Sequence, residues 1–403
     1  MARYEKRRHE TASLRLWIAI VLFLLSLLAV MPAQTYNLWK ASIAGAEWGH
    51  YVALAGIVML LVPSWWRSVM GQLAGGLTVV AIGIALSPTI RAMNAGRGLQ
   101  SRLDAAFGKA VPRASPGTPV MEAPLSIARM LRNADPEPAG VRSLNYATRE
   151  GGPLALDLYN VHDSADSAAK ASSSTRPLVI TIHGGSWIGG SRTDLPELNH
   201  YLAARGYAVA ALSYRLAPRN PFPAATDDVN AAIDYLKSRS RVLGIDSTRI
   251  VLVGRSAGGQ LALQSGYRKN DYNIRGVVAL YAPTDQIWGW EHPTNPRVYD
   301  SFATLRAFLN GEPSQIAPTY RAASPINYVG SHTIPTLLIH GSMDPLVSVR
   351  QSRRLDSALA IARRPHLLVE MPWATHGCDF VFNGPCGQMS SFAIERFLAA
   401  VTR

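Results

Sequence analysis

The stretch Gly254-Arg255-Ser256-Ala257-Gly258 constrains this chain more than any other five residues. It follows an apolar β-branched run, Arg249-Ile250-Val251-Leu252-Val253, and opens a small-residue segment of helical character, Gly259-Gln260-Leu261-Ala262-Leu263. Strand, G-x-S-x-G turn and helix in that order predict a nucleophile elbow, a sharp turn that lifts a serine Oγ above a sheet edge. Glycines flank the serine because a Cβ there would clash with strand or helix. The five-residue pattern alone is weak, since glycine and serine abound in loops. Its setting makes it specific.

A second motif lies upstream. Pro177-Leu178-Val179-Ile180-Thr181-Ile182 reads as a buried strand and runs into His183-Gly184-Gly185-Ser186-Trp187. Acyl transfer builds negative charge on a carbonyl oxygen and needs N–H donors already aimed at it. An HGGG-type loop after the third strand supplies such donors beside the N–H that follows the nucleophile. Gly184, Gly185 and Ala257 are therefore the expected oxyanion hole. A glycine-rich strand-to-helix turn would explain the first two equally well, were the two motifs not in this order.

The elbow needs a base and an orienting acid in the chain order Ser…Asp/Glu…His. Ile334 to Gly341 is a further strand pattern, ending in a loop that holds Asp344; His366 to Met371 is the last strand, followed by Trp373-Ala374-Thr375-His376-Gly377. Asp344 and His376 each sit just past a strand end, on the edge where Ser256 is expected, so they complete the triad. The competitors fit less well. His340 lies in a strand end and reads as a packed or supporting histidine, and His366 starts a strand too early for a loop-borne base. Asp379 is only three residues from His376, and Asp356 falls in a helical stretch, Val347 to Ala362, where it reads as solvated.

These features predict an α/β-hydrolase fold over residues 141–403, a mostly parallel eight-stranded sheet flanked by helices. From about Asn145 onward the chain resembles the hormone-sensitive-lipase-like esterases and the neighbouring feruloyl-esterase-like α/β-hydrolases. The resemblance rests on His183-Gly184-Gly185-Ser186-Trp187, Ser213-Tyr214-Arg215-Leu216-Ala217-Pro218, Pro221-Phe222-Pro223-Ala224-Ala225, Asp228-Val229 and Gly254-Arg255-Ser256-Ala257-Gly258-Gly259, completed by Asp344 and His376. It implies carboxylic ester hydrolysis through an acyl-serine, with no cofactor. One residue departs from the pattern: the lipase-like branch carries Asp before the serine, and here that residue is Arg255. The Tyr214–Ala225 stretch also reads simply as a proline-stiffened entry to a helix from about Ala224 to Arg239. There Asp227 and Asp228 would meet the positive end of the helix dipole.

The N-terminal part differs in kind. Leu16 to Trp39, Gly49 to Trp66 and Ser68 to Ile90 carry no charged residue. Each is long enough, or nearly so, to cross a hydrocarbon core of about 30 Å. Trp17, Trp39, Trp48, Trp65 and Trp66 lie near their ends, as an interfacial aromatic belt would place them. Residues 1–91 are thus expected to be an all-α membrane region of about three transmembrane helices. A mean hydropathy of only +0.06 hides this, because the polar catalytic part dilutes it. A cleaved signal peptide is the competing reading of the first segment. Arg3, Lys6, Arg7, Arg8 and Arg15 should stay cytoplasmic, which puts the catalytic domain outside on either reading. Arg91, Arg97 and Arg102 weigh mildly against that topology. Residues 92–140 read as a linker or partial lid with helical patterns at Leu99–Ala110 and Ala123–Asn133, and Asp163 to Thr175 as a hairpin extension.

Only two cysteines occur, Cys378 and Cys386, close together after His376. In an oxidising compartment they would form a disulfide clamping the base-carrying loop; otherwise they are two reduced thiols. Two ligands without paired histidines make a poor metal site. The net charge of +13 is not gathered into basic clusters with interleaved aromatics, so nucleic acid is a poor partner. Anionic headgroups or acidic polymers would be attracted, and a solvated basic surface accounts for the charge as well. About 286–325 interrupts the strand–helix alternation with Trp288, Trp290, Tyr299, Phe302, Phe308 and Tyr320, either a cap walling an acyl or aromatic acid or simply packing that holds the insertion down. The expected function is membrane-anchored ester hydrolysis on a small-molecule or lipid ester. The rivals are a peptidase or amidase, an acyltransferase, and a non-catalytic receptor domain.

Overall fold

Strands and helices alternate from residue 176 onward, and with two earlier strands from residue 141 they build one sheet. The computed structural model describes residues 2–63, 67–113, 120–132, 136, 139–159 and 175–403. Its strands are β1 (Val141–Arg149), β2 (Gly152–Tyr159), β3 (Arg176–Ile182), β4 (Ala208–Leu212), β5 (Ile245–Arg255), β6 (Ile274–Leu280), β7 (Thr336–Gly341) and β8 (His366–Met371). They lie in the order β1-β2-β4-β3-β5-β6-β7-β8. β2 is antiparallel to both its neighbours, and every other pair is parallel. The expected strand between Leu154 and Asn160 is β2; most of the expected hairpin extension beyond it lies outside the described residues.

Among the described residues six helices precede the sheet: α1 (Ala2–Leu27), α2 (Tyr36–Glu47), α3 (Gly49–Leu61), α4 (Val69–Gly96), α5 (Leu99–Phe107) and α6 (Ile127–Arg132). Two are long and apolar enough to cross a membrane, α1 over Glu10–Leu27 and α4 along its whole length. The uncharged stretch from Leu16 to Trp39 is not one helix. It breaks between Leu27 and Tyr36; the second uncharged stretch holds α3, which is long enough for a span only together with α2, from which it is bent by 65°. Hydropathy alone misplaces Trp39. Instead of sitting in an interfacial belt it is buried against the sheet domain, whereas Trp17 and Trp48 are exposed. Trp65 and Trp66 lie outside the described residues.

The remaining helices are α7 (Glu197–Ala203), α8 (Ala224–Ser238), α9 (Ser240–Leu243), α10 (Ala257–Arg268), α11 (Gln286–Glu291), α12 (Ser301–Leu309), α13 (Pro313–Ala322), α14 (Arg350–Ile361) and α15 (Pro385–Val401). Strand alternation sorts them to the two sides of the sheet. Leu178, Ile180, Ile182, Ile250 and Leu252 join one core with α8, α10 and α14, while Val179, Val251 and Val253 join the other with α7 and α15. Leu99, Leu103 and Met121 belong to that second core, packed with Phe392 and Phe397 of α15. These residues of the stretch read as a linker or lid thus pack into the sheet domain's core.

Charge inside the domain is paired. Arg205 meets Glu395 at 2.7 Å and joins α7 to α15. Asp228 is fully buried and accepts from Arg215 at 2.8 Å and Arg149 at 3.3 Å. It lies beyond the first turn of α8, so its role is to hold the Tyr214–Ala225 connection rather than to meet the helix dipole.

The elbow is where the fold has least room. A Cβ on Gly254 would collide with the Gly258 carbonyl, and one on Gly258 with the carbonyls of Ile182 and His183. Gly254→Ala should therefore lower the thermal midpoint by many degrees, at a cost of about 3 kcal/mol or more, as overpacking at a rigid backbone crossing does. Differential scanning calorimetry of the detergent-solubilised chain measures this, and a near-native midpoint would mean that the crossing relaxes easily.

Candidate active site

Ser256 caps α10 with φ +53° and ψ −120°, a conformation that non-glycine residues avoid. Its N–H donates to the Leu280 carbonyl at 2.9 Å, which ties the turn to β6. The Oγ lies 3.0 Å from His376 Nε2, and His376 Nδ1 lies 2.6 Å from Asp344 Oδ2. The three side chains predicted from chain order thus meet in one hydrogen-bonded line. Asp344 is fully buried on the loop after β7, where its Oδ1 accepts the N–H groups of Leu346 and Val347, each at 2.8 Å. Burial pushes its carboxyl up, but the neighbouring charge of His376 and hydrogen bonds from His340 and His376 outweigh that and bring it down to about 2.

His340 is fully buried, with Nε2 at 3.2 Å from Asp344 Oδ2 and 2.9 Å from the Val347 carbonyl, and Nδ1 at 2.7 Å from Ser352 Oγ. It supports the acid. His366 lies away from the line, 3.5 Å from Asp356. Asp356 is consequently half-buried rather than fully solvated, and that burial raises its carboxyl.

The glycine loop is held against the nucleophile. A Cβ on Gly184 would come within 3.3 Å of Ser256 Cβ, and Gly185 has φ +106°. His183 Nδ1 lies 2.7 Å from the Gly184 carbonyl, and its ring stacks on Tyr214 at 4.2 Å. Trp187 Nε1 donates to Gln260 Oε1 at 3.0 Å, fixing the loop to α10. Gly184 is therefore held against Ser256, and Ala257 follows the serine as the first residue of α10. Backbone donors at a helix start and a glycine turn suit a developing oxyanion.

Beside Ser256 is a cavity of about 60 Å³, lined among others by Ser186, Ala257, Trp288, Tyr299 and Leu346. Of the six aromatics in the insertion, Trp288 and Tyr299 reach this cavity. The others pack: Phe308 stacks on Trp187 at 4.0 Å, and Trp290 lies edge-on to Phe302 and Tyr320. Tyr299 also donates to Ser186 Oγ at 2.9 Å, linking insertion to glycine loop.

Asp379, set aside as the relay acid, and Arg255, the departure from the family pattern, prove central to the site's construction. Arg255 and Asp379 form a buried ion pair, Nε to Oδ2 2.5 Å, and the Tyr281 hydroxyl donates to Asp379 Oδ1 at 2.5 Å. The Tyr281 ring lies 4.5 Å from that of His376. Burial opposes the Arg255 charge, yet Asp379 more than compensates and raises its pKa. The pair joins the elbow to the loop bearing the base. Cys378 and Cys386 close that same loop with a disulfide, S–S 2.02 Å. The sequence signal for the pair is a charged residue inside a small-residue motif that must be buried, which demands an opposite charge nearby.

With this geometry in view, likeness to known proteins is informative. The BD-FAE family model matches residues 167–359. The chain is 30% identical over 268 residues to ethyl acetate hydrolase of Pseudomonas putida, covering 62% of this chain and 78% of that protein. It is 31% identical over 245 residues to esterase LipC of Mycobacterium tuberculosis, covering 56% and 59% respectively. Against the mycobacterial esterases it spans between 55% and 59% of their length. Among solved structures, the Pyrobaculum calidifontis esterase superposes with a TM-score of 0.57 at 20% identity, covering 78% of this chain and 98% of that one. The chain belongs to the α/β-hydrolase esterase family.

Asp379→Ala would leave Arg255 buried without a partner and should cost about 3 kcal/mol of stability. The double variant Arg255→Met/Asp379→Leu removes both charges and should recover more than half of that loss. Chemical denaturation of the three proteins compares them, and equal losses in single and double variants would contradict the pairing.

Proposed function

We propose that this protein is a membrane-anchored serine hydrolase that cleaves carboxylic esters through an acyl-serine intermediate. The observation that carries this reading is the hydrogen-bonded line from Ser256 to His376 to Asp344 at the mouth of a cavity. Ser256 Oγ attacks the ester carbonyl as His376 Nε2 takes its proton. Asp344 stays ionised, holds the Nδ1–H tautomer and stabilises the imidazolium. The N–H groups of Gly184, Gly185 and Ala257 stabilise the oxyanion. His376 then protonates the leaving alcohol, and water attacks the acyl-serine by the same route in reverse.

The cavity argues for small acyl groups. At about 60 Å³ it is well below the roughly 300 Å³ at which small-molecule sites usually begin. Full-length protein in detergent should be labelled by a fluorophosphonate probe, with the label abolished in Ser256→Ala. Acetyl and butyryl p-nitrophenyl esters should be hydrolysed at least tenfold faster, by kcat/KM, than octanoyl or longer ones. Absence of Ser256-dependent labelling in folded protein would sink the enzyme reading. Faster cleavage of aminoacyl amides than of all esters would redirect it to a peptidase, and a transferred acyl product with added alcohol to an acyltransferase.

Anchoring and orientation rest on how the N-terminal helices run. Ser13 Oγ lies 3.4 Å from Met70 Sδ, which places the start of α4 beside the early part of α1, so the two helices run side by side in the same direction. Arg15 donates to the Pro63 carbonyl beyond α3, so α3 returns toward the N-terminal side. Large apolar side chains such as Leu14, Val21 and Leu24 of α1 and Val69, Leu73 and Val79 of α4 face outward. An up–down–up path puts the hydrolase domain across the membrane from the basic N-terminal tail, where the Cys378–Cys386 disulfide would persist. The middle crossing would be α3, with α2 lying outside the hydrocarbon core against the hydrolase domain. A membrane-impermeant maleimide should label Tyr272→Cys, an exposed position, in intact cells. Labelling only after permeabilisation would place the domain in the cytoplasm.

A further inference from the structure

One face of α2 lies on the loop that carries the candidate base. Trp39, Ile43 and Glu47, spaced at i, i+4 and i+8, are all buried, with Glu47 completely so. Such spacing lines one helix face over about 12 Å. Trp39 Nε1 donates to the carbonyl of His376 at 3.1 Å, and its ring lies 6.2 Å from the imidazole. Two turns on, Glu47 Oε2 accepts the N–H of Cys386 at 2.9 Å, in the first turn of α15. The carboxyl oxygen there satisfies one of the helix's free N–H groups. Between these bonds Trp39 and Ile43 pack with Val298 and Val381, and with Leu346 beside the acid loop.

We propose that Trp39 and Glu47 are positioning residues for His376, so that the N-terminal region is part of the catalytic machinery and not only its anchor. This rests on the hydrolase reading above. The loop from His376 to Cys386 is held from within by the Arg255–Asp379–Tyr281 cluster and its own disulfide. From outside, α2 holds its two ends. Without α2, the carbonyl of His376 would lose its donor and the start of α15 its acceptor. The imidazole would then sample orientations in which Nε2 no longer points at Ser256 Oγ. Neither residue lines the cavity beside Ser256. Their loss should therefore lower turnover and leave substrate binding alone.

The test uses the full-length chain in detergent, with Trp39→Phe, Glu47→Met and, as a control, Leu38→Ala, an exposed neighbour on the same helix. Ester hydrolysis and fluorophosphonate labelling are read side by side. The expected result for Trp39→Phe and Glu47→Met is a kcat lowered about tenfold, within the hundredfold that a 1 Å misplacement can cost, at unchanged KM. The labelling rate should fall by the same factor, and Leu38→Ala should match the parent. Should Trp39→Phe fail to fold, benzothienylalanine at position 39 keeps the ring volume and removes only the N–H, and the same drop is expected. Parent-like kcat, KM and labelling in the folded variants would overturn the proposal and make α2 a tether. A parent protein that neither labels nor hydrolyses esters would instead overturn the hydrolase reading.

Discussion

The crossing of β5 and α10 at Gly254 and Gly258 governs the geometry of everything around Ser256. Strand, helix and the carbonyls at the end of β3 approach so closely that no methyl group fits between them. That closeness forces the serine to φ +53°, a conformation costing on the order of 1–3 kcal/mol. Burial of β5 and most of α10 in the two cores over-determines the turn and holds the strain. The same crossing brings Gly184 against Ser256, so nucleophile and expected oxyanion donors are set by one contact. The base and acid arrive separately, on loops past β8 and β7, and need their own supports.

Those supports are polar and buried, which explains their form. His340 braces Asp344, and the Arg255–Asp379 pair with Tyr281 braces the His376 loop. A buried ion pair is a poor source of stability compared with apolar packing, but it fixes geometry once both partners are present. Arg255 sits in the motif residue adjoining the nucleophile, so its side chain can bridge from elbow to base loop over a short path. The insertion adds a further link, through Tyr299 to Ser186 and Gln260 to the Ala323 carbonyl.

Much of this was legible in the sequence, because order and strand context carry strong information in a parallel sheet. Ser256, Asp344 and His376 are brought together as the order of strand ends predicts, and His340 supports the acid. Partnerships across long sequence distances were not legible. Nothing in the spacing of Arg255 and Asp379, 124 residues apart, marks them as a pair. Proximity to His376 in sequence disqualified Asp379 as the relay acid and hid its other use. Hydropathy likewise cannot tell an apolar face meant for lipid from one meant for protein, so Trp39 read as a membrane-interface residue. Glu47, a lone acid between two uncharged stretches, was the available hint that α2 faces protein. Aromatic content in the insertion was equally ambiguous, since packing and cavity lining draw on the same residues.

The bonds from α2 also bear on when the site becomes complete. Trp39 and His376 are 337 residues apart, and Glu47 and Cys386 are 339 apart. Contacts of such separation form late, after the chain between them has folded. Because α2 is made before β8 and α15, it must wait for them before either bond can close. A nascent or clipped chain would hold the Ser256 turn without a fixed His376, and on the proposed hydrolase reading the docking of α2 would be the step that completes the site.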